Sequence, residues 1–262
     1  MKINILASGS RGNVTIVKSN KLTILIDAGL SYRDLLDRLG KAGVSPGEID
    51  YIFITHEHHD HIVGLGKFVK YHEKPVFITP GSYVKLKGTI KREIEGRVSF
   101  LQPGGKVTFN GLGIQSFPVS HDSAESVGFT FSDNGKKIGY VTDIGYISES
   151  VIEELKDVDL LVIESNHDPE MLKNGKYHFV LKKRIAGPEG HISNETASVL
   201  ISKIFSKRLK AVFLAHISRE NNKPDLALST VKNVLKTIPG FSESNPDILV
   251  TFQDKHTDWY EI

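Results

Sequence analysis

Cysteine is absent from all 262 residues. That removes disulfides, thiolate metal sites and cysteine nucleophiles. Long apolar runs are also missing: no stretch approaches the roughly 20 residues that a membrane helix needs. The opening MKINILASGS has one lysine and an apolar stretch too short for a secretory leader, so a first β-strand and a cytoplasmic location are expected. Charge of one sign is scarce too. With 33 basic and 31 acidic side chains the formal charge is +2. That near-neutral balance does not announce a nucleic-acid binder, and it does not forbid a local basic patch. No low-complexity tract, Pro/Ser-rich linker or internal repeat interrupts the chain, and its oligomeric state is not encoded in any of these features.

What is present is an ordinary globular balance, 39% apolar and 24% charged. Short β-branched runs at Ile3–Leu6, Val14–Lys18 and Leu22–Ile26 are separated by Gly, Ser and Asn, which predicts strands joined by turns. Apolar residues at 35, 36 and 39 among charges predict an amphipathic helix over Tyr32–Lys41. Asp50–Thr55 reads as a buried strand and Ile62–Tyr71 as a helix. Asp133-Asn134-Gly135 is a hairpin signal. The second half alternates: helix Glu149–Lys156, strand Asp159–Glu164, helix Asn194–Phe205, strand Lys210–Ala215, helix Pro224–Thr237, strand Ile248–Phe252. The pattern predicts two sheets with helices outside, built by one continuous domain over residues 1–262.

Eleven histidines are many for this length, and their placement matters more than their number. His56, His58, Asp60 and His61 fall within six residues, directly after an apolar strand. A strand end is where a rigid scaffold hands residues to a functional loop. His56 and His58 can clasp one ion, and Asp60 and His61 suit a second. A structural zinc site needs only four ligands in all. Further candidates stand at other strand ends: Asp27, His121, Asp143 and His216. Glu57, His59, His72, His178 and His256 lack that placement and read as structural or solvent-exposed. Imidazole with carboxylate suits Zn²⁺, Mn²⁺ or Fe²⁺.

The string T-H-E-H-H-D-H (Thr55–His61) resembles the H-x-H-x-D-H signature of the metallo-β-lactamase fold superfamily. Asp27, His121, Asp143 and His216 follow that superfamily's order along the chain. The resemblance implies an α/β (α+β) fold, a four-layer αββα sandwich, with two divalent ions. It implies that His56, His58 and His121 bind the first, that Asp60, His61 and His216 bind the second, and that Asp143 bridges both. Asp27 would orient a ligand or its loop. Lack of cysteine speaks against the antibiotic-hydrolysing members with a cysteine ligand. His58 speaks against flavodiiron members, which carry an acidic residue there.

LASGSRGN (Leu6–Asn13), ESNHD (Glu164–Asp168), GHISNETA (Gly190–Ala197) and LAHISRENNKP (Leu214–Pro224) are similar to segments of the YycJ-type (WalJ-type) branch. That branch is regarded as nucleolytic, with 5′-to-3′ exonuclease action on DNA. GHISNETA also resembles a segment of tRNase Z-type endonucleases. Arg11 and His59 depart from the branch, where a small polar residue is expected at each, and neither removes a ligand. The implied reaction is phosphodiester hydrolysis by a metal-bridging hydroxide, on DNA rather than RNA. Asp60 is a candidate acceptor of the water's proton. His191, just before a predicted helix, is a candidate to steady the phosphate or protonate the leaving oxygen. Ser193, Asn194, His167 and Asn222 are candidate substrate contacts. Lys182-Lys183-Arg184 and the group Lys85, Lys87, Lys91, Arg92 are candidate phosphate-binding patches. Two other readings remain: a small-molecule hydrolase of the same fold (a cyclic-phosphate phosphodiesterase or a thioesterase), and a non-catalytic partner-binding protein.

Overall fold

The computed structural model describes residues 1–242 and 246–262. The chain packs as two compact units. The first comprises Met1–Ser116, Ser123–Val127 and Phe252–Ile262; the second comprises Phe117–Asp122 and Gly128–Thr251.

The first unit opens with β1 (Lys2–Ala7), β2 (Val14–Lys18) and β3 (Thr23–Ile26), an antiparallel meander. Helix α1 (Tyr32–Lys41) leads to β4 (Tyr51–Phe53), parallel to β3. Two helices follow, α2 (His59–Ile62) and α3 (Leu65–His72), then β5 (Val76–Ile78), α4 (Pro80–Lys85), α5 (Gly88–Ile94) and β6 (Val98–Phe100). Strands β5 and β6 extend the parallel half, and a closing strand, Tyr260–Glu261, pairs antiparallel with β1. Leu35 and Leu39 of α1 and Leu65, Phe68 and Val69 of α3 pack with Leu6, Ile16, Leu25, Ile52 and Val76 of the sheet. Truncating one of these leucines to alanine costs about 2–5 kcal/mol. Ser31 caps α1 by accepting from the Asp34 amide. A hairpin, β7 (Lys106–Phe109) and β8 (Leu112–Pro118), turns on Asn110-Gly111, both at positive φ.

The second unit holds β9 (Val127–Asp133), β10 (Lys136–Val141), α6 (Glu149–Leu155), β11 (Leu160–Glu164), α7 (Pro169–Asn174), α8 (Phe179–Ile185), α9 (Asn194–Ile204), β12 (Ala211–Ala215), α10 (Pro224–Leu235) and β13 (Asp247–Val250). Its strand order runs β13-β12-β11-β10-β9. β9 and β10 form the hairpin expected at Asn134-Gly135, with φ of 49° and 74°, the conformation a type I′ turn requires. The other pairings are parallel. β11 and β12 are buried at every position, as strands covered on both faces must be. Helices α6, α9 and α10 seal a core with Val141, Leu161, Ile163, Val212 and Leu214. Both sheets are therefore mixed and flanked by helices. α4 and α5 are separate helices because Leu86 is extended at the end of α4. Helices α7 and α8 lie where no element was expected.

Candidate metal centre

In the first unit β3 ends at Ile26, and Asp27 adopts a left-handed φ of 58°. A non-glycine residue there costs on the order of 1–3 kcal/mol and persists only where surrounding contacts hold it. Here they do. Asp27 is fully buried; Oδ1 accepts from the Thr55 amide at 2.8 Å, and Oδ2 accepts from His61 Nδ1 at 2.7 Å and Thr55 Oγ1 at 2.9 Å. Burial raises the Asp27 pKa, opposed by the His61 charge. His56 Nδ1 meets Thr55 Oγ1 at 3.1 Å. The His56 ring lies 4.6 Å from that of His58 and 4.1 Å from that of His61, centre to centre.

Asp60 and His61 sit on α2, and the SGSRGN loop wraps them. The Asn13 amide donates to the Asp60 carbonyl at 2.8 Å. Asn13 Nδ2 lies 2.9 Å from His61 Nε2 and 3.3 Å from Asp60 Oδ2, so Asn13 gathers those two donor atoms. Gly29 permits this approach: a Cβ there would overlap the Asp60 carbonyl oxygen and crowd the Asn13 nitrogen.

The second unit repeats the device. β10 ends at Val141 and Asp143 has φ 54°; β12 ends at Ala215 and His216 has φ 53°. Glu164, the last residue of β11, is fully buried between them. Its Oε1 accepts from His191 Nδ1 and from His216 Nδ1, each at 2.8 Å. Its Oε2 accepts from the Ile192 amide at 3.1 Å and the Ile144 amide at 3.3 Å. Asp143 Oδ1 stands 3.4 Å from His216 Nδ1 and 3.8 Å from His191 Nδ1. His121 turns Nδ1 to the Gly190 carbonyl at 3.1 Å, with Nε2 4.0 Å from Asp143 Oδ1.

Charge follows from this geometry. Burial would raise the Glu164 pKa, but the His191 charge and hydrogen bonds from His191 and His216 hold it at about 2. Burial would lower that of His191, but the Glu164 charge and hydrogen bond, then the Asp143 charge, raise it to about 9. His216 is also raised against its burial, first by Asp143. His121 is lowered by burial.

Metal-binding histidines characteristically donate their second ring N–H to a carboxylate or carbonyl, which fixes tautomer and orientation. His61 does so to Asp27, His216 to Glu164 and His121 to a backbone carbonyl. In each case Nδ1 is the nitrogen so engaged. Ligand atoms of Asp143, Glu164, His191 and His216 lie within 4.8 Å of one another. Within that group Asp143 and His216, the latter oriented by Glu164, offer the oxygen and nitrogen donors that suit a divalent ion of the zinc or manganese type.

The remaining candidates have clear structural engagements. Ser193 caps α9, accepting from the Thr196 amide, and forms a bridge with His167. Asn194 and Asn222 are buried and pair amide to amide; Asn222 Nδ2 also donates to the carbonyls of Ser165 and Asn166. They hold the loops after β11 and β12 together. His167 is buried, and its Nδ1 has no hydrogen-bond partner. Glu164 was not singled out from sequence as a site residue, nor were Asn13 and Thr55. A carboxylate ending the otherwise apolar strand LLVIE is the signal that could have found Glu164.

The β-lactamase superfamily domain model matches residues 23–216. A curated relative, exodeoxyribonuclease YycJ of Bacillus anthracis, is 34% identical over 90% of this chain and 89% of its own. Among solved structures, the metallo-β-lactamase fold protein YhfI of Bacillus subtilis matches at a TM-score of 0.71 and 16% identity, covering 98% of each chain. Zn²⁺-bound PqqB of Methylobacterium extorquens matches at 0.75 and 16%, covering 98% of this chain and 100% of its own. With a signature that spans the strand ends described above and a match over most of its length, this chain belongs to the β-lactamase superfamily and shares the family of the YycJ-type proteins.

Proposed function

We propose that this chain is a two-metal phosphodiesterase that degrades DNA as a 5′-to-3′ exonuclease in the cytoplasm, working as one hydrolase domain over residues 1–262. The observation that carries the reading is the Glu164 carboxylate, shared at 2.8 Å by His191 and His216. One carboxylate thus orients a candidate metal ligand and keeps a second imidazole protonated. The name of the Bacillus anthracis relative supplies the substrate class. No helix among the described residues is long and apolar enough to cross a membrane.

The ligand set follows the family signature: His56, His58 and His121 for one ion, Asp60, His61 and His216 for the other, Asp143 for both. Zn²⁺, Mn²⁺ or Fe²⁺ suits these donors. Bound ions supply an acidified water and neutralise charge on the phosphoryl oxygens. The chain's own groups do the proton work. Asp60 accepts the proton of the attacking water. His191, cationic at neutral pH because Glu164 holds its proton, draws in the phosphate and gives that proton to the leaving oxygen. Each turnover then breaks one P–O bond, forms another and moves one proton from water to the leaving alcohol. Asp27 keeps His61 in register. Ser193, Asn194, His167 and Asn222 border the strand through the loops they stabilise.

The test is release of nucleotides from duplex DNA labelled at the 5′ or the 3′ end, with Mn²⁺- or Zn²⁺-loaded protein. Early loss of the 5′ label, abolished by chelation and by His191→Ala with metal content unchanged, is expected. Activity confined to a chromogenic phosphodiester would replace the nuclease reading with a small-molecule one. Loss of metal in His191→Ala would make that residue a ligand.

A further inference from the structure

Beside the cluster, helices α7 and α8 enclose a cavity of about 350 Å³ lined by His167, Leu172, Phe179, Lys173, Lys182 and Lys183 among others. Among the described residues no acidic one lines it. Phe179 is 78% exposed, unusual for a large apolar side chain, and nothing in its own unit's core needs it. His167 is 96% buried, yet its Nδ1 has no hydrogen-bond partner. α8 is tied directly to the candidate site. The His191 amide donates to the carbonyl of Ile185, the last residue of α8, at 2.8 Å. The same loop then passes through His191 to Ser193, which bridges to His167.

We infer that this cavity receives one unstacked nucleobase of the DNA strand being cut, that of the nucleotide next to the scissile phosphate. The inference rests on the nuclease reading above and assigns its base-binding site. An exposed aromatic ring with cationic side chains around it is the combination that binds single-stranded nucleic acid, with bases stacked on the ring and phosphates on the cations. The volume lies at the small end of ligand sites, which suits one nucleotide unit rather than a duplex or a folded partner. Lys173 already has Glu170 3.7 Å away, and Lys182 donates to the Lys173 carbonyl; the cationic rim of Lys173, Lys182 and Lys183 suits a nucleotide, which brings its own phosphates, better than an apolar protein segment. Stacking ignores base identity, so the pocket gives grip without sequence preference, as an exonuclease needs.

The holoenzyme is titrated with duplex DNA made uncleavable by phosphorothioate linkages and carrying 2-aminopurine as the 5′-terminal base. Wild type should raise the 2-aminopurine fluorescence, because the base leaves the stack of its duplex neighbour. Phe179→Ala should weaken binding about tenfold, the scale of one lost stack, and abolish the rise, while Phe179→Trp restores the binding. Its ring is exposed, so the melting temperature should not move. An abasic residue at the terminal nucleotide should cost wild type the same factor and cost Phe179→Ala almost nothing more, because both remove one interaction. If wild type cleaves DNA but Phe179→Ala binds it equally well, or if the two losses simply add, the pocket assignment is overturned and the nuclease reading stands. If wild type neither binds nor cleaves DNA, both fall.

Discussion

Replacing Glu164 by glutamine changes one atom and should separate the roles of two histidines. In the native protein Oε1 accepts from both imidazoles and Oε2 accepts from two backbone amides. Glutamine cannot serve both sides. If its oxygen faces the histidines, its NH₂ meets the Ile144 and Ile192 amides, donor against donor; turned round, it meets the two Nδ1–H groups. Either way a buried pair is broken, at a cost of about 3–5 kcal/mol. The His191 pKa should fall from about 9, because the Glu164 charge and hydrogen bond are the chief causes opposing its burial. The protonated fraction of His191 near neutral pH then drops. The assay is kcat on a DNA substrate from pH 5.5 to 9.5 at saturating metal, which keeps weakened ligation by His216 out of the comparison. The basic limb should move to lower pH in the variant, with activity recovering as the pH is lowered. An unmoved basic limb would refute His191 as the proton donor.

The same pair sets a stability window in the metal-free protein. Glu164 is held below its usual 4.5, so its contribution is complete above pH 4.5 and fades as pH falls towards about 2. His191 is held above 6.5, so its contribution is complete below pH 6.5 and fades as pH rises through about 9. Metal-free wild type should melt highest between those limits, and Glu164→Gln should lose that advantage.

Three further outcomes follow from neighbouring contacts. Asp27→Asn keeps an acceptor for Thr55 but loses the carboxylate that orients His61; metal affinity should fall about 10- to 100-fold by titration. Because burial raises the Asp27 pKa, its charge is a liability at neutral pH, and the metal-free variant should melt no lower than wild type. Gly29→Ala forces a methyl into the Asp60 carbonyl and should cost about 3 kcal/mol or more in denaturant unfolding, with loss of metal. Chelation of protein held at a thousandfold excess of metal over Kd should remove about 4 kcal/mol, or roughly 8–16 °C in Tm; no change would mean that the cluster binds no ion in the folded state.

Much of the architecture is legible because local patterns and tertiary demands agree. The helix over Tyr32–Lys41 has the period, the Ser31 cap and the leucines its core needs, and it forms as read. The Asn134-Gly135 turn is dictated by its two positive φ angles. Helices α7 and α8 escaped notice because neither carries an apolar stripe: α8 has no buried residue and α7 only Leu172. Periodicity reports burial, and an element that buries little leaves no trace in it. The division into two compact units was likewise invisible, since no linker composition marks the crossings near residues 117, 123, 128 and 252.

The metal-centre candidates were legible for a different reason: strand ends are positions, and positions can be counted along a chain. What cannot be counted is how a side chain is turned. Asp27, Asp143 and His216 each follow a strand and each adopt φ between 53° and 58°. A β-strand continued one residue further, or two for Asp143, would place each side chain by the alternation of the sheet. A left-handed residue breaks that alternation and redirects the side chain, at a cost that only a buried network repays. The network differs in the two units. Thr55 and His61 hold Asp27 in one, while Glu164 gathers His191 and His216 in the other. Glu164 was the hardest member to foresee because it is an acceptor in the service of ligands, ending the apolar strand LLVIE, and such a residue has no spacing rule of its own. Its position is set by the two imidazoles it must reach at once, a constraint that exists only in three dimensions.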